Sequence, residues 1–344
     1  MSEPVVLDAH PAALDEEPPQ ARTKRQHPVL SLLARRVPLG LMSIVIAAII
    51  VYWATLVLPG DAATAILGQN ATPERIAALR EQLGLNQSPA AAFFGWAGGF
   101  LHGDFGASLT QSQPVWNVVE TRLINSAVLV LVVAVLSTAT GVVMGLLAAR
   151  KPDRVIDSVV SIGALVASAL PEFVVGVFVV LTFSVGLFHW FPAISSLPPG
   201  SYIWQEPMKL VLPTLTLLIV VTPYVFRMVR AATIEALSGD YAEVAVLKGT
   251  APTRLLFRHA LPNALAPTIQ VVGLNLLYLA GGIVMVETVF NYPGIGLTLV
   301  GAINTRDAPL IQFLVVLLAV FYVFVNISAD IAVLLVTPRK RFPR

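Results

Sequence analysis

Apolar residues along the chain are grouped into six long runs, which are separated by polar, charged or proline-rich segments. Four of the runs contain no charged residue, one contains only Glu172 and one contains only Asp330. A helix needs about 20 residues to cross a hydrocarbon layer of about 30 Å, and each run is near or above that length. The pattern therefore predicts six transmembrane helices, of which the fourth is at the short limit. The runs are 37–58, 126–149, 158–188, 210–226, 264–286 and 308–337.

The composition supports this interpretation. Of the 344 residues, 56% are hydrophobic and 12% are charged, and the mean hydropathy is +0.78. Soluble domains carry roughly 25% charged residues, so this chain has too little polar surface to be surrounded by water. We expect an all-α polytopic membrane protein. The net charge of +2 does not indicate a nucleic-acid partner, and the absence of cysteine excludes disulfides and thiolate metal sites.

Lysine and arginine residues are distributed unevenly between the two sides that six spans define. Both termini share one side, and that side holds 17 of the 22 Lys and Arg residues. Cytoplasmic loops of membrane proteins are enriched in these residues, so both termini are predicted to be cytoplasmic. The residues on the opposite side are Arg75, Arg80, Arg122, Lys209 and Arg306.

The polar segments divide the chain into a tail and a membrane domain. Residues 1–29 combine acidic residues, prolines and basic residues with little apolar surface, so we expect a disordered cytoplasmic tail. Residues 30–344 form the predicted transmembrane domain. Within it lie a large external segment, 59–125, and a cytoplasmic loop, 228–263.

The external segment is predicted to contain a short amphipathic helix followed by a group of aromatic residues. Thr72 is a suitable N-cap, Pro73 fits the first helical position, and Gly84 suits the end of the helix. The aromatic residues favour a membrane–water boundary. We favour packing over the mouth of a pore as their role, and a docking surface for an external partner is the alternative. They are Phe93, Phe94, Trp96 and Phe100.

Two acidic residues interrupt the apolar runs. Pro171 and Glu172 lie near the middle of the third run, where proline kinks a helix and a carboxyl group is costly at membrane depth. Glu172 is therefore expected to face the bundle interior or a water-filled path, and a hydrogen-bonded structural role is the alternative. Asp330, with Asn326 one turn earlier, lies near the cytoplasmic end of the sixth run and is interpreted as structural.

The cytoplasmic loop is predicted to hold two short helical pieces. They meet at Gly249, because glycine tolerates a positive φ and permits a sharp turn, and Pro252 suits the start of the second piece. Apolar faces with charged residues around them are typical of an element that inserts into a groove of a soluble partner. The apolar residues are Val244, Leu247, Leu255 and Leu256, and the charged residues are Asp240, Arg254 and Arg258.

This loop resembles the cytoplasmic "EAA" motif of the permease family of ABC importers. Four further stretches, 58–61, 103–109, 257–265 and 286–296, are similar to the dipeptide/oligopeptide branch of that family. The resemblance covers roughly residues 30–342, and the branch also includes nickel, glutathione and opine importers. The chain departs from the motif's usual residues at Val244 and His259. The matching positions are Glu243, Ala245, Gly249, Leu261 and Pro262.

The resemblance implies the permease subunit of a type I ABC importer, most simply for di- or oligopeptides, in a bacterial cytoplasmic membrane. Its implied partners are a second homologous permease, two cytoplasmic ATPase subunits that bind Mg-ATP, and an extracytoplasmic substrate-binding protein. The loop would couple to the ATPases, whereas Pro171 and Glu172 are candidates for the translocation path. The implied coupling residues are Asp240, Glu243, Ala245, Gly249, Arg254, Arg258, Leu261 and Pro262.

Motifs of other functional classes are absent from the sequence. The string Lys248-Gly249-Thr250 lacks the leading glycines of a phosphate-binding loop, so nucleotide is expected on another chain. The five histidines are scattered along the chain, and no metal site or catalytic residue is predicted. A secondary transporter and a membrane scaffold remain the alternatives from other classes. The first usually has several intramembrane ionisable groups and internal repeats, and the second gives the loop no purpose.

Overall fold

A computed structural model describes residues 28–57, 72–82 and 88–336, and these residues form helices joined by loops. The all-α fold predicted from the sequence is confirmed for this part of the chain. The predicted tail up to residue 27, the stretch 58–61, Gly84 and the C-terminal residues 337–344 lie outside it. The helices are α1 (Pro28–Val57), α2 (Pro73–Gln82), α3 (Pro89–Leu101), α4 (Val115–Ala149), α5 (Val155–Ala169), α6 (Glu172–Val180), α7 (Met208–Leu237), α8 (Asp240–Leu247), α9 (Pro252–Leu255), α10 (Leu261–Phe290), α11 (Ile295–Thr305) and α12 (Ala308–Val336).

Five of the described helices, α1, α4, α7, α10 and α12, are long and apolar enough to cross a membrane. The third predicted span, 158–188, corresponds to α5 and α6 together, so six spans result when this bent pair counts as one. Helices α1, α4, α7 and α10 are longer than their apolar runs. In particular, α7 continues to Leu237, so the segment between α7 and α10 is shorter than the predicted loop 228–263.

The third span is broken rather than kinked, which corrects the sequence-based expectation. The axes of α5 and α6 differ in direction by 106°. Leu170 has an extended backbone, with ψ of 135°, because the ring of the following Pro171 disfavours the helical conformation at the preceding residue. Pro171 itself is extended and caps α6, whose first residue is Glu172. The Leu-Pro pair therefore ends one helix and begins another.

Helix α7 lies at the centre of the bundle, with α4 and α10 packed along it and with α5 and α6 also in contact. Gly141 and Gly145, four residues apart on α4, allow a close approach, since a Cβ at these positions would lie 2.7 Å and 2.8 Å from the Cβ atoms of Val225 and Val229. Small residues at this spacing let two membrane helices pack backbone to backbone. The α4–α7 contact therefore has little room for larger side chains.

Helix α1 packs against α12 rather than against the central bundle. Near its N-terminal end Arg36 forms a salt bridge of 2.8 Å with Asp330 of α12. Asn326 instead donates to the carbonyl of Tyr322 at 3.1 Å. The partner of Asp330 is thus a basic residue of the first span, a contact that the sequence analysis did not anticipate.

The predicted external segment contains the expected helix. Most of its aromatic residues pack against other helices, which is the role that the sequence analysis favoured. The Thr72 hydroxyl accepts from the Arg75 backbone N–H at 3.4 Å, and α2 begins at Pro73 as predicted. The ring centroids of Phe93 and Trp96 of α3 lie 5.1 Å and 5.6 Å from that of Tyr52 of α1. This places most of the aromatic group against the bundle, whereas Phe94 remains exposed.

Candidate functional site

The loop between α7 and α10 folds as two short helices, α8 and α9, separated by a sharp turn. Gly249 has φ of 75°, and the N–H of Thr250 donates to the carbonyl of Ala245 at 3.0 Å. This is the hydrogen bond of a Schellman motif, in which the residue with positive φ is usually glycine. The second helix begins at Pro252. The two pieces, their turn at Gly249 and the start of the second piece at Pro252 therefore form as the sequence predicts.

The second helical piece is anchored in the core of the protein. Leu255 is buried, and Leu256 and Ala260 join a cluster with Ala236 of α7 and Leu146 of α4. The expectation that Leu255 and Leu256 form an outward apolar face is therefore wrong, because both side chains are buried and Leu256 packs against α7 and α4. A single π-helical turn, Leu256–Ala260, continues α9 into α10.

The outward surface of the loop combines apolar and charged side chains. Leu247 is 81% exposed, Phe257 is 59% exposed and Val244 is 49% exposed, although such side chains are normally buried. Ala245 and Leu261 are half-buried. The exposed polar, glycine and proline positions around them are Asp240, Glu243, Lys248, Gly249, Arg254, Arg258 and Pro262. The structure thus brings the predicted coupling residues together on one protruding element.

A buried ion pair joins the third span to α7 just above this loop. The guanidinium of Arg230 donates twice to Asp157, with both distances 2.6 Å. The Asp157 side chain is only 3% exposed and also accepts from the backbone N–H of Asp153 at 2.9 Å. Each partner lies just beyond the end of an apolar run, and that position was the available signal in the sequence. The pair holds the start of α5 against α7.

Replacing Arg230 with alanine is expected to destabilise the protein by about 3–5 kcal/mol, because it leaves the buried Asp157 carboxylate without its cation. Thermal unfolding of the purified protein measures this loss. The double variant Asp157→Asn with Arg230→Gln is the control, since it removes both charges and should lose less stability than Arg230→Ala alone. An Arg230→Ala protein as stable as wild type would contradict this role of the ion pair.

Pro171 and Glu172 lie at the break in the third span, where Pro171 is exposed and Glu172 contacts α10. The Tyr278 hydroxyl donates to the Glu172 carboxylate, and the same carboxylate covers Gly282. Tyr278 in turn contacts Tyr224 of α7, with ring centroids 5.8 Å apart. Glu172 is half-buried, so it faces the bundle side, and the structure gives it a hydrogen-bonding partner.

A second buried carboxylate, not singled out from the sequence, organises the C-terminal end of α10. Glu287 is fully buried and accepts from Ser126 Oγ at 2.5 Å and from the backbone N–H groups of Gly296 and Leu297 at 2.7 Å and 3.1 Å. The last two lie in the first turn of α11, where a negative charge is stabilised by the helix dipole. Glu287 therefore fixes α11 to α10 and α4.

The turn after α10 is tied down by neighbouring contacts. Asn291 has a left-handed conformation at the end of α10, and the hydroxyl of Tyr292 donates to the carbonyl of Asn125 at 2.7 Å. Burial raises the pKa of the Tyr292 phenol, so this donor stays protonated. A comparable set of hydrogen bonds holds the start of α12. Buried Asp307, which precedes α12, accepts from Ser108 Oγ at 2.5 Å and from Thr110 Oγ1 at 2.9 Å. These contacts hold the connections between α10, α11 and α12 in place.

Comparison with known proteins identifies the family. Residues 141–342 match the family described as "Binding-protein-dependent transport system inner membrane component", and residues 29–130 match the N-terminal region of such membrane components. A probable peptide ABC transporter permease protein of Sinorhizobium fredii is 37% identical over 286 residues, which cover 83% of this chain and 90% of the relative.

Two further relatives align with this chain over nearly their whole length. A glutathione transport system permease protein of Salmonella choleraesuis is 33% identical over 88% of this chain and 97% of the relative. A putative peptide transport system permease protein of Brucella abortus is 33% identical over 91% of this chain and 99% of the relative. The resemblance found in the sequence is thereby confirmed at the level of the family.

Proposed function

The chain belongs to the family of binding-protein-dependent transport system inner membrane components, and from this we propose the assembly in which it imports its solute. As a multi-pass permease subunit of an ABC importer it forms the pore and is not itself the catalyst. We place it in a bacterial cytoplasmic membrane with both termini in the cytoplasm. Its proposed partners are a second homologous permease, two ATPase subunits that bind Mg-ATP, and an external substrate-binding protein.

The protruding loop of α8 and α9 is the proposed contact with an ATPase subunit. The observation that carries this proposal is a surface with exposed Leu247, Val244 and Phe257 on an element whose other face is anchored in the bundle. Exposed apolar side chains surrounded by charges favour insertion into a groove of another protein. The sequence lacks a phosphate-binding loop, which supports the assignment of ATP to the partner.

The proposed mechanism follows from how the loop is attached. Closure of the ATPases on ATP would displace α8 and α9, and the buried Leu256 and Ala260 would pass that displacement to α7 and α10. The helices would then move between inward-open and outward-open arrangements, a shift driven by the different affinity of the ATPases for each state. Pro171 and Glu172, at the break in the third span, are proposed to lie along the translocation path.

Peptides are the proposed solute class. Two of the relatives described above carry names of peptide transport systems, and a third is named for glutathione, which is itself a small peptide. The same importer class for nickel or another small solute is the alternative within the family. A secondary transporter or a scaffold would not account for membership in this family.

A cysteine crosslink in the functional assembly tests the contact with the ATPase. The chain contains no cysteine, so Leu247→Cys introduces a single reactive thiol on the exposed face of α8. A bifunctional thiol–amine reagent should join this position to an ATP-hydrolysing subunit. Leu256→Cys is the matched control, because that side chain is 3% exposed and should not react. Absence of the Leu247→Cys product in an assembly that transports would overturn the proposal.

A further inference from the structure

A cavity lies between α5, α7 and α10, on the cytoplasmic side of the break in the third span. Its volume is about 670 Å³, which is large enough for a short peptide. Most of its wall is apolar, and its polar groups come from a few side chains. These include Ser161 of α5, Tyr224, Arg227 and Arg230 of α7, and Asn275 of α10.

Two of these polar groups have no partner within the described part of the chain. Arg230 is occupied by Asp157, whereas no salt bridge of Arg227 is found among the described residues. Asn275 is 7% exposed, and its side-chain Nδ2 is buried without a hydrogen-bond acceptor. A buried polar group without a partner costs free energy and usually indicates a ligand or water that completes it. The cavity is therefore lined by an exposed cation, Arg227, and by a buried amide, Asn275, whose Nδ2 lacks an acceptor and would reach a ligand after rotation of its side chain.

A group of opposite charge, Glu172, lies outside the residues that line the cavity. Glu172 accepts from Tyr278, which lies about one helical turn from Asn275 on α10 and contacts Tyr224 of the cavity. The series that runs from the break in the third span towards the cytoplasm therefore begins with an acidic group, Glu172. It continues through two tyrosines, Tyr278 and Tyr224, and ends with a basic group, Arg227. A peptide with free ends carries an ammonium at one end and a carboxylate at the other, which matches this order.

We propose that Arg227 and Asn275 form a binding site for the C-terminal carboxylate of the transported peptide within this cavity. The inference rests on the peptide importer proposed above and names the group by which the permease itself recognises its solute. A guanidinium donates two parallel hydrogen bonds to a carboxylate, and the Asn275 amide supplies a third donor. Apolar lining residues such as Leu274 would contact peptide side chains without selecting among them.

The test compares a labelled tripeptide that has a free C-terminal carboxylate with the same tripeptide as a C-terminal amide. ATP-driven uptake is measured in vesicles that contain the full importer assembly, and each variant is scored against wild type with the same peptide. Arg227→Ala should lower uptake of the free acid by about tenfold, the size of one lost charged hydrogen bond, and leave the amide within about twofold. Arg227→Lys should recover part of the loss, since it retains the charge.

Two further variants distinguish an effect of the charge of the cavity from an effect of its shape. Asn275→Asp places a negative charge beside the proposed carboxylate and should lower uptake of the free acid more than that of the amide. Leu274→Ala changes the same cavity without changing its charge and should affect both peptides equally. Equilibrium binding of both peptides to the purified complex without its binding protein repeats the comparison, so a binding protein that rejects the amide does not obscure the result.

The outcomes distinguish this inference from the function on which it rests. A wild-type assembly that imports neither peptide would overturn the peptide function and the carboxylate site with it. A wild-type assembly that imports the peptide, with Arg227→Ala affecting both forms equally or neither, would overturn the carboxylate site alone. A selective loss for the free acid supports it.

Discussion

Replacing Gly249 with proline should lower ATP-driven uptake by at least about tenfold while the ATPase subunits continue to hydrolyse ATP. Gly249 has φ of 75°, which a proline ring, fixed near −65°, is unable to adopt. The hydrogen bond from Thr250 to Ala245 would be lost, and α8 would no longer be held in its orientation to α9. Uptake, ATP hydrolysis and the amount of protein in the membrane are measured on the same preparation.

Gly249→Asn is the matched control for this prediction. A Cβ at this position would meet no atom within 4 Å, so backbone conformation rather than crowding decides the outcome. Asparagine adopts the left-handed conformation more readily than other residues with a Cβ, and uptake should stay within about twofold of wild type. Normal uptake by Gly249→Pro, or an equal loss with both substitutions, would argue against an oriented coupling element.

Replacing Glu287 with alanine should destabilise the protein by an amount on the order of 3–6 kcal/mol. The substitution removes the acceptor for Ser126 Oγ and for the N–H groups of Gly296 and Leu297, and each buried donor left unpaired costs about 1–3 kcal/mol. The start of α11 would lose its attachment to α10 and α4. Thermal unfolding of the purified protein should show a markedly lower transition temperature.

Glu287→Gln provides the control, because it retains the shape of the side chain and removes only its charge. The amide oxygen can accept from Gly296 and Leu297, and the amide nitrogen can donate to Ser126 Oγ. This variant should therefore lose far less stability than Glu287→Ala. If both variants unfold at the same temperature, well below that of the wild type, then the negative charge of Glu287, and not its hydrogen bonds, holds α11 against α10 and α4.

Much of the fold could be predicted because the membrane imposes a strict length and composition on its helices. The six apolar runs correspond to five helices and one bent pair, and the turn at Gly249 follows from the conformational freedom of glycine. These features depend on residues close together in the sequence, and local chemistry is sufficient to predict them.

The contacts that fix the bundle were harder to predict, because they join residues far apart along the chain. Asp157 and Arg230 lie just outside their apolar runs, and a local sequence pattern does not distinguish them from unpaired charged residues of a loop. Helix α11 and the burial of Glu287 depend on α4 and α10 meeting at one place. The inward direction of Leu255 and Leu256 is likewise decided by the end of α7 against which they pack, and no local pattern distinguishes it from an outward face.

The break at Leu170 and Pro171 gives the two halves of the third span different attachments. The N-terminal half is fastened to α7 through Asp157 and Arg230, whereas the C-terminal half begins with Glu172, whose carboxylate accepts from Tyr278 of α10. A continuous helix would have to bend or lose backbone hydrogen bonds if those two neighbours slid past each other. An extended joint instead lets the two halves change their relative angle without breaking helical hydrogen bonds, so this span can act as a hinge between α5 and α6.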